Sequence, residues 1–124
     1  GWDDFVKIAG RAWNPDMRAH DPHGEFTVNI AAPDHPITAG LSDFVTTDEL
    51  YTCLDGDVDI NVLATATSKV DGEEYPMAFT NTFGDGRVFH CALGHDLKAF
   101  EPAAVRRLYR RGTAWTLGLE PMTE

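Results

Sequence analysis

The sequence predicts an α/β domain with a helix near each end of the chain and about five short strands between them. Three observations carry that reading. Apolar residues recur at spacings of three and four near both termini, as on the buried stripe of a helix. Between them, short stretches are β-branched or alternate polar with apolar. The stretch Gly84 to Asp96, GDGRVFHCALGHD, reads as a tight turn, a buried strand and a polar break before the second helical pattern. Such a strand-to-helix junction matters because ligands of open α/β sheets sit outside the carboxyl ends of strands. His95 is therefore the first candidate functional residue, although His95 and Asp96 also suit the end of a strand and the cap of a helix.

Taken in order, Trp2, Phe5, Ile8, Ala9 and Ala12 predict an amphipathic helix within Trp2 to Trp13, with Asp3 or Asp4 near its N-terminus and Gly10 ending it early. Asn14 to Gly24 (NPDMRAHDPHG) has two prolines, two histidines and no periodicity, so it reads as a long loop. Glu25 to Ile30 alternates strictly and predicts a strand with Phe26, Val28 and Ile30 facing the core. An ordered connection follows from Ala31 to Leu41, in which Pro33 and Pro36 stiffen the chain around Asp34-His35. His35 is thus either positioned for a task or used to satisfy backbone groups.

Ser42 to Leu54 mixes signals: Thr47 with Asp48-Glu49 suits the cap of a helical turn, and Leu50 to Leu54 looks like a strand. A turn at Asp55-Gly56-Asp57 precedes a strand from Val58 to Thr67, with Ile60, Val62 and Ala64 on one face. Tyr75 to Phe83 and Arg87 to Leu93 form a hairpin through Gly84-Asp85-Gly86. Leu97, Phe100, Ala104, Leu108 and Trp115 predict the last helix, regular from about Glu101, with Gly112 ending or interrupting it and Gly118 to Glu124 as a tail. A parallel sheet needs helices on both faces, and two helices are few for that purpose.

The 124 residues suit one domain, and 43% apolar with 24% charged residues is an ordinary globular composition. Twenty acidic against ten basic residues give a formal charge of −10, which repels nucleic acid and anionic membranes, so neither is expected as a partner. The basic cluster of Arg106, Arg107, Arg110 and Arg111 reads as the solvated face of the last helix. No apolar run approaches the length that spans a bilayer. Cys53 and Cys91 lack the close spacing of a zinc knuckle and read as small buried hydrophobes in a reducing, cytoplasmic setting.

The chain resembles the trehalose-utilisation (ThuA-like) family. The matching pieces are Trp13 with the loop through His20, GEFTV (Gly24 to Val28), DHPITAGL (Asp34 to Leu41), DELY (Asp48 to Tyr51), VLA (Val62 to Ala64) and GDGRVFHCALGHD. The combination of DHPIT with a downstream GRVF and LGHD is its most specific part. The resemblance implies a partial flavodoxin-like fold, similar to class I glutamine amidotransferases: three layers around a mixed sheet of about five strands. It further implies that residues 1–124 are one domain lacking the family's N-terminal half. A sheet edge or face would then be uncovered, and a homo-oligomer or a complex with the missing half is expected to cover it.

The resemblance also implies carbohydrate metabolism, with an oxidised (keto) disaccharide of the trehalose type as small-molecule partner and proton transfer beside its carbonyl. His95, Glu49 and His35 are the implied acid–base residues, and His20, Tyr51, Asp48 and Asp96 the implied substrate contacts. Imidazole titrates nearest neutrality and suits such work. A second reading gathers His20, His35, His95 and Glu49 around a divalent metal, although no HxH or HExxH spacing supports it. No nucleotide cofactor is expected. Glutamine hydrolysis is rejected, because Cys91 lies inside a predicted strand and Cys53 lacks the glycines of a nucleophile elbow. The competing class is a non-catalytic carbohydrate-binding or assembly module.

Overall fold

The computed structural model describes residues 2–120. The chain runs α1 (Asp3–Ala9), β1 (Ala12–Trp13), β2 (Gly24–Ile30), β3 (Phe44–Asp48), β4 (Leu54–Asp55), β5 (Asn61–Thr67), β6 (Glu74–Phe83), β7 (Gly86–Cys91), a 3-10 turn at Leu97–Phe100 and α2 (Ala103–Thr116). Five strands form one sheet in the order β3-β2-β5-β6-β7, and β1 pairs with β4 in a separate two-stranded ladder. The expected α/β architecture, with a helix near each end, is what the chain adopts. Every pairing in the five-stranded sheet is antiparallel. The parallel pairs of a mixed sheet are thus not among the described residues, since parallel neighbours need crossover connections that short turns do not provide.

Successive residues of β7 show how the layers are built. Phe89 and Cys91 turn to α2, where Phe89 meets Tyr109 edge-on at 6.5 Å. His90 turns to the opposite face, stacks on Phe79 at 4.5 Å and bonds the carbonyl of Ala9 at the end of α1 through Nδ1, 3.0 Å away. One helix therefore covers each face of this side of the sheet. That double cover explains why Leu63 to Ala66 on β5 and Met77 to Asn81 on β6 are buried without alternation. On β2, by contrast, Phe26 and Val28 are buried and Ile30 packs on the same core, as the alternation predicts.

Several elements differ from expectation. Helix α1 stops at Ala9, and Ala12 belongs to a strand instead; Gly10, at φ 79°, turns the chain. Residues 44–48 form a strand, where a helical cap is expected, because the buried face of β3 carries Thr46 and Asp48 and so hides its apolar period. The Thr46 hydroxyl finds its partner in the Ala99 carbonyl at 3.2 Å. Leu50 to Leu54 is mostly irregular, with one bridge between Tyr51 and His20 and a short strand only at Leu54–Asp55. Strand β5 begins at Asn61, so Ile60 precedes it, and register shifts around Ala64 bring Leu63 and Ala64 both into the core.

The last helix starts after Pro102, and Leu97 is left exposed, because Asp96 caps a separate 3-10 turn. Gly112 neither ends nor interrupts α2. A Cβ there would lie 2.1 Å from the Phe89 ring, so this glycine lets the helix approach β7. Of the arginine cluster, Arg106 donates to the carbonyls of Phe100 and Glu101, and Arg111 donates to that of Ala39 at 2.7 Å. They tie α2 to the turns around it. The side chain of Asp3 and the tail beyond residue 120 lie outside the described residues.

Candidate functional site

Strand β3 ends at Asp48, whose carboxylate is completely buried. A buried charge is tolerated only when donors surround it. Here Oδ1 accepts the amides of Glu49 (2.9 Å) and His95 (3.0 Å), and Oδ2 accepts that of Gly94 (2.7 Å). Gly94 sits at φ 130°, a conformation open to glycine, and this bend turns both amides of the β7 exit towards Asp48. Asp48 consequently fastens the segment carrying His95 to the segment carrying Glu49.

Next to that anchor, one oxygen of Glu49 gathers three side chains. His95 Nδ1 lies 3.1 Å from Glu49 Oε2, the Tyr51 hydroxyl donates to it at 3.3 Å, and His20 Nε2 lies 3.7 Å away. The Glu49 side chain is only 15% exposed while that of His95 is 45% exposed, so the carboxylate is sheltered behind a ring that reaches solvent. With Nδ1 directed at the carboxylate, His95 keeps Nε2 for a substrate. Burial, followed by the charge and hydrogen bond of Glu49, raises the Tyr51 phenol above its ordinary range and keeps it a donor.

The loop before β2 delivers His20 from the other side. Tyr51 and His20 face each other in an isolated bridge, the Thr52 amide donates to the Ala19 carbonyl, and the Asp21 amide donates to that of Leu50, both at 2.9 Å. His20 Nδ1 donates to the Asp21 carbonyl at 2.7 Å, which orients the ring with its Nε2 edge towards Glu49, 3.7 Å from Oε2. Asp21 is itself a buried staple: its carboxylate accepts from Arg18 (2.6 Å), the Ser68 hydroxyl (2.8 Å) and the Lys69 amide (2.8 Å). The long loop of the sequence is therefore held at its base by the β5–β6 turn.

His20, Asp48, Glu49, Tyr51, His95 and Asp96 come together, and His35 does not. Asp48 faces Gly24 at the first residue of β2, whereas His35 follows the far end of that strand, and seven residues of strand span about 20 Å. His35 instead packs beside Trp115 at 5.5 Å, and its Nδ1 accepts the Ile37 amide at 3.2 Å, the backbone-satisfying role. Asp96 divides its carboxylate between the cap of the 3-10 turn, accepting the Lys98 amide at 2.8 Å, and His23 Nε2 at 3.2 Å. His23 is the residue that sequence reasoning missed. It stands in the same histidine-bearing loop as His20, and that pairing within one loop is the available signal.

A cavity of about 250 Å³ adjoins the cluster through Tyr51 and is lined also by Phe5, Trp13, Leu54 and His90. Among the described residues, no group of three His, Cys, Asp or Glu side chains is placed to hold one metal ion. The four residues of the metal reading do not share a site, since His35 is remote and the two other imidazoles converge on a single carboxylate oxygen. Burial pushes the Cys91 thiol up to about 11, which removes the thiolate a nucleophile needs.

Among solved structures the chain is similar to a ThuA-like protein from Parabacteroides merdae, with a TM-score of 0.81 at 23% identity. The match covers 99% of this chain and 58% of that one, so the chain spans little more than half the length of that relative. No curated protein matches. The family model described as ThuA, trehalose utilisation, matches residues 1–116. The chain thus belongs to the ThuA family.

Proposed function

We propose that this chain performs acid–base chemistry next to the carbonyl of a keto-disaccharide of the trehalose type. His95 exchanges the proton through Nε2, and Glu49 orients the ring and stabilises its charged form. The observation that carries the reading is the sheltered Glu49 oxygen 3.1 Å from His95 Nδ1, braced by Tyr51 and His20. A carboxylate behind an imidazole is the usual arrangement for a histidine that must take up and return a proton. The family's association with trehalose utilisation supports a sugar as substrate. The cavity beside Tyr51 supports the same choice, because Trp13 and Phe5 line it and aromatic side chains suit the apolar face of a sugar.

The assembly belongs to the same proposal. Trp2, Phe5 and Trp13 are 65%, 48% and 63% exposed, with Trp2 and Phe5 in contact at 5.9 Å. Such a group of aromatic residues favours a second copy of the chain at the rim of this face, forming a homo-oligomer in which the partner encloses the cavity beside Tyr51 without filling it. Both cysteines are unpaired, which favours a reducing compartment such as the cytoplasm.

The aromatic cavity also favours a second reading, a carbohydrate-binding module without turnover. Turnover and binding of keto-trehalose by wild type and His95→Ala separate the two. The enzymatic reading expects wild type to turn it over and His95→Ala to bind it with turnover reduced at least about a hundredfold. Equal binding with no turnover by either protein would establish the module instead.

A further inference from the structure

A second imidazole–carboxylate pair lies against the first. His23 Nε2 is 3.2 Å from Asp96 Oδ2, and the His23 and His95 rings meet edge to face with centroids 6.0 Å apart. Each ring has one nitrogen at its own carboxylate, His95 at Glu49 and His23 at Asp96, and each keeps the other nitrogen for a substrate. We infer that His23 is a second catalytic residue, which protonates the carbonyl oxygen while His95 removes the neighbouring carbon-bound proton, so that the site takes α-hydroxy ketones. This inference rests on the acid–base reading above and extends it by a residue, a role and a substrate class.

The chemistry asks for two groups. Removing a proton beside a ketone places charge on the carbonyl oxygen, and a lone base would have to generate a bare enolate. With both pairs engaged, His95 Nε2 takes the proton from the carbon that bears the hydroxyl. The C–H electron pair becomes the new C=C bond, the carbonyl π pair moves to oxygen, and that oxygen receives the proton from His23 Nδ1. The product is an enediol; the reverse steps return a proton to carbon, and no oxidant or reductant is consumed.

The two carboxylates differ in a way that suits these roles. Glu49 is sheltered and held by three side chains, whereas Asp96 is anchored by the turn that it caps. Burial tends to raise the Asp96 carboxyl, and the Lys98 amide, the His23 charge and the Ala99 amide outweigh it, so Asp96 is held below the usual carboxylate range. Asp96 thereby stays an acceptor, holds the His23 ring through Nε2 and leaves Nδ1 for the carbonyl oxygen. Asp21 lies between His20 and His23 in sequence and fixes the loop that carries both, so the two imidazoles approach Glu49 and Asp96 from one stapled segment.

The test is solvent exchange. Keto-trehalose is incubated with the full protein in D2O, and loss of the proton beside the carbonyl is followed by NMR for wild type, His23→Asn, His23→Gln and His35→Asn. The inference expects exchange by wild type and His35→Asn, and a rate at least about tenfold lower in both His23 variants, with unchanged circular dichroism. If wild type exchanges and the His23 variants match it, His23 is only a surface partner of Asp96, and the inference is overturned while the acid–base reading stands. If wild type exchanges no faster than buffer, the acid–base reading falls and this inference falls with it.

Discussion

Glu49 Oε2 and His95 Nδ1 lie 3.1 Å apart although their segments are far separated in sequence, and the buried carboxylate of Asp48 is what closes that separation. Asp48 sits one residue before Glu49 and receives the amides of Gly94 and His95. The pair is therefore a product of backbone placement more than of side-chain reach.

Replacing Asp48 by Asn puts an amide group where one of the carboxylate oxygens meets backbone donors. We expect a loss of about 1 to 3 kcal/mol in stability, read from urea unfolding. Hydrogen exchange should also quicken at the Gly94 and His95 amides more than elsewhere. Uniform quickening across the sheet would show that Asp48 serves the fold in general and not this junction.

Asp21→Ala removes the staple between the histidine loop and the β5–β6 turn, where Ser68 and the Lys69 amide donate to it. The sheet core lies elsewhere and should survive, while the histidine loop loosens. NMR relaxation is expected to show new mobility at His20 and His23, with β6 and β7 unchanged. Mobility confined to Lys69 and its neighbours would contradict the staple.

Gly112→Val places a branched side chain where a single Cβ already lies 2.1 Å from the Phe89 ring. Helix propensity alone favours the substitution, so the two effects oppose each other. Overpacking wins, with an expected loss of about 1 to 3 kcal/mol. The companion Phe89→Ala should recover part of it in a double-mutant cycle, and strict additivity would place the strain elsewhere.

Burial lowers His90, opposed in part by the hydrogen bond to the Ala9 carbonyl, and burial lowers His35. A histidine lowered in the folded state binds fewer protons there than in the unfolded chain between the two values. Stability from these residues is therefore complete above the unfolded value near 6.5 and declines as pH falls through the folded values. Urea titrations from pH 7.5 to 5, at about half-unit steps, should show the decline, and His90→Phe combined with His35→Asn should flatten it. An equally steep decline in the double variant would assign the effect to carboxylates.

Much of this arrangement is legible in the sequence, and the gaps have physical causes. Strand β2 and the β6–β7 hairpin show because apolar alternation and a two-residue turn are local signals. Strand β3 is hidden because Thr46 and Asp48, polar residues with buried partners, occupy its inward face. Gly112 misleads for a similar reason, since its role depends on Phe89 and not on its own helix. Within the site, DELY and LGHD mark Asp48, Glu49, Tyr51, His95 and Asp96 as a group. His35 carries an equally suggestive motif, yet β2 separates it from them, and strand pairing is the information a single sequence lacks. His23 has only its place beside His20 in one loop to mark it in the sequence, and its carboxylate partner shows once Asp96 is seen to divide its oxygens between a cap and a ring.

The most direct test of the Glu49–His95 pair is a double-mutant cycle on turnover of keto-trehalose. Residues that act as one unit give strongly non-additive losses. Glu49→Gln and His95→Asn should each lower kcat about a hundredfold or more, and the double variant should be no slower than the weaker single. A double variant slowed by the full product of the two losses would mean that Glu49 and His95 act independently, contradicting the account.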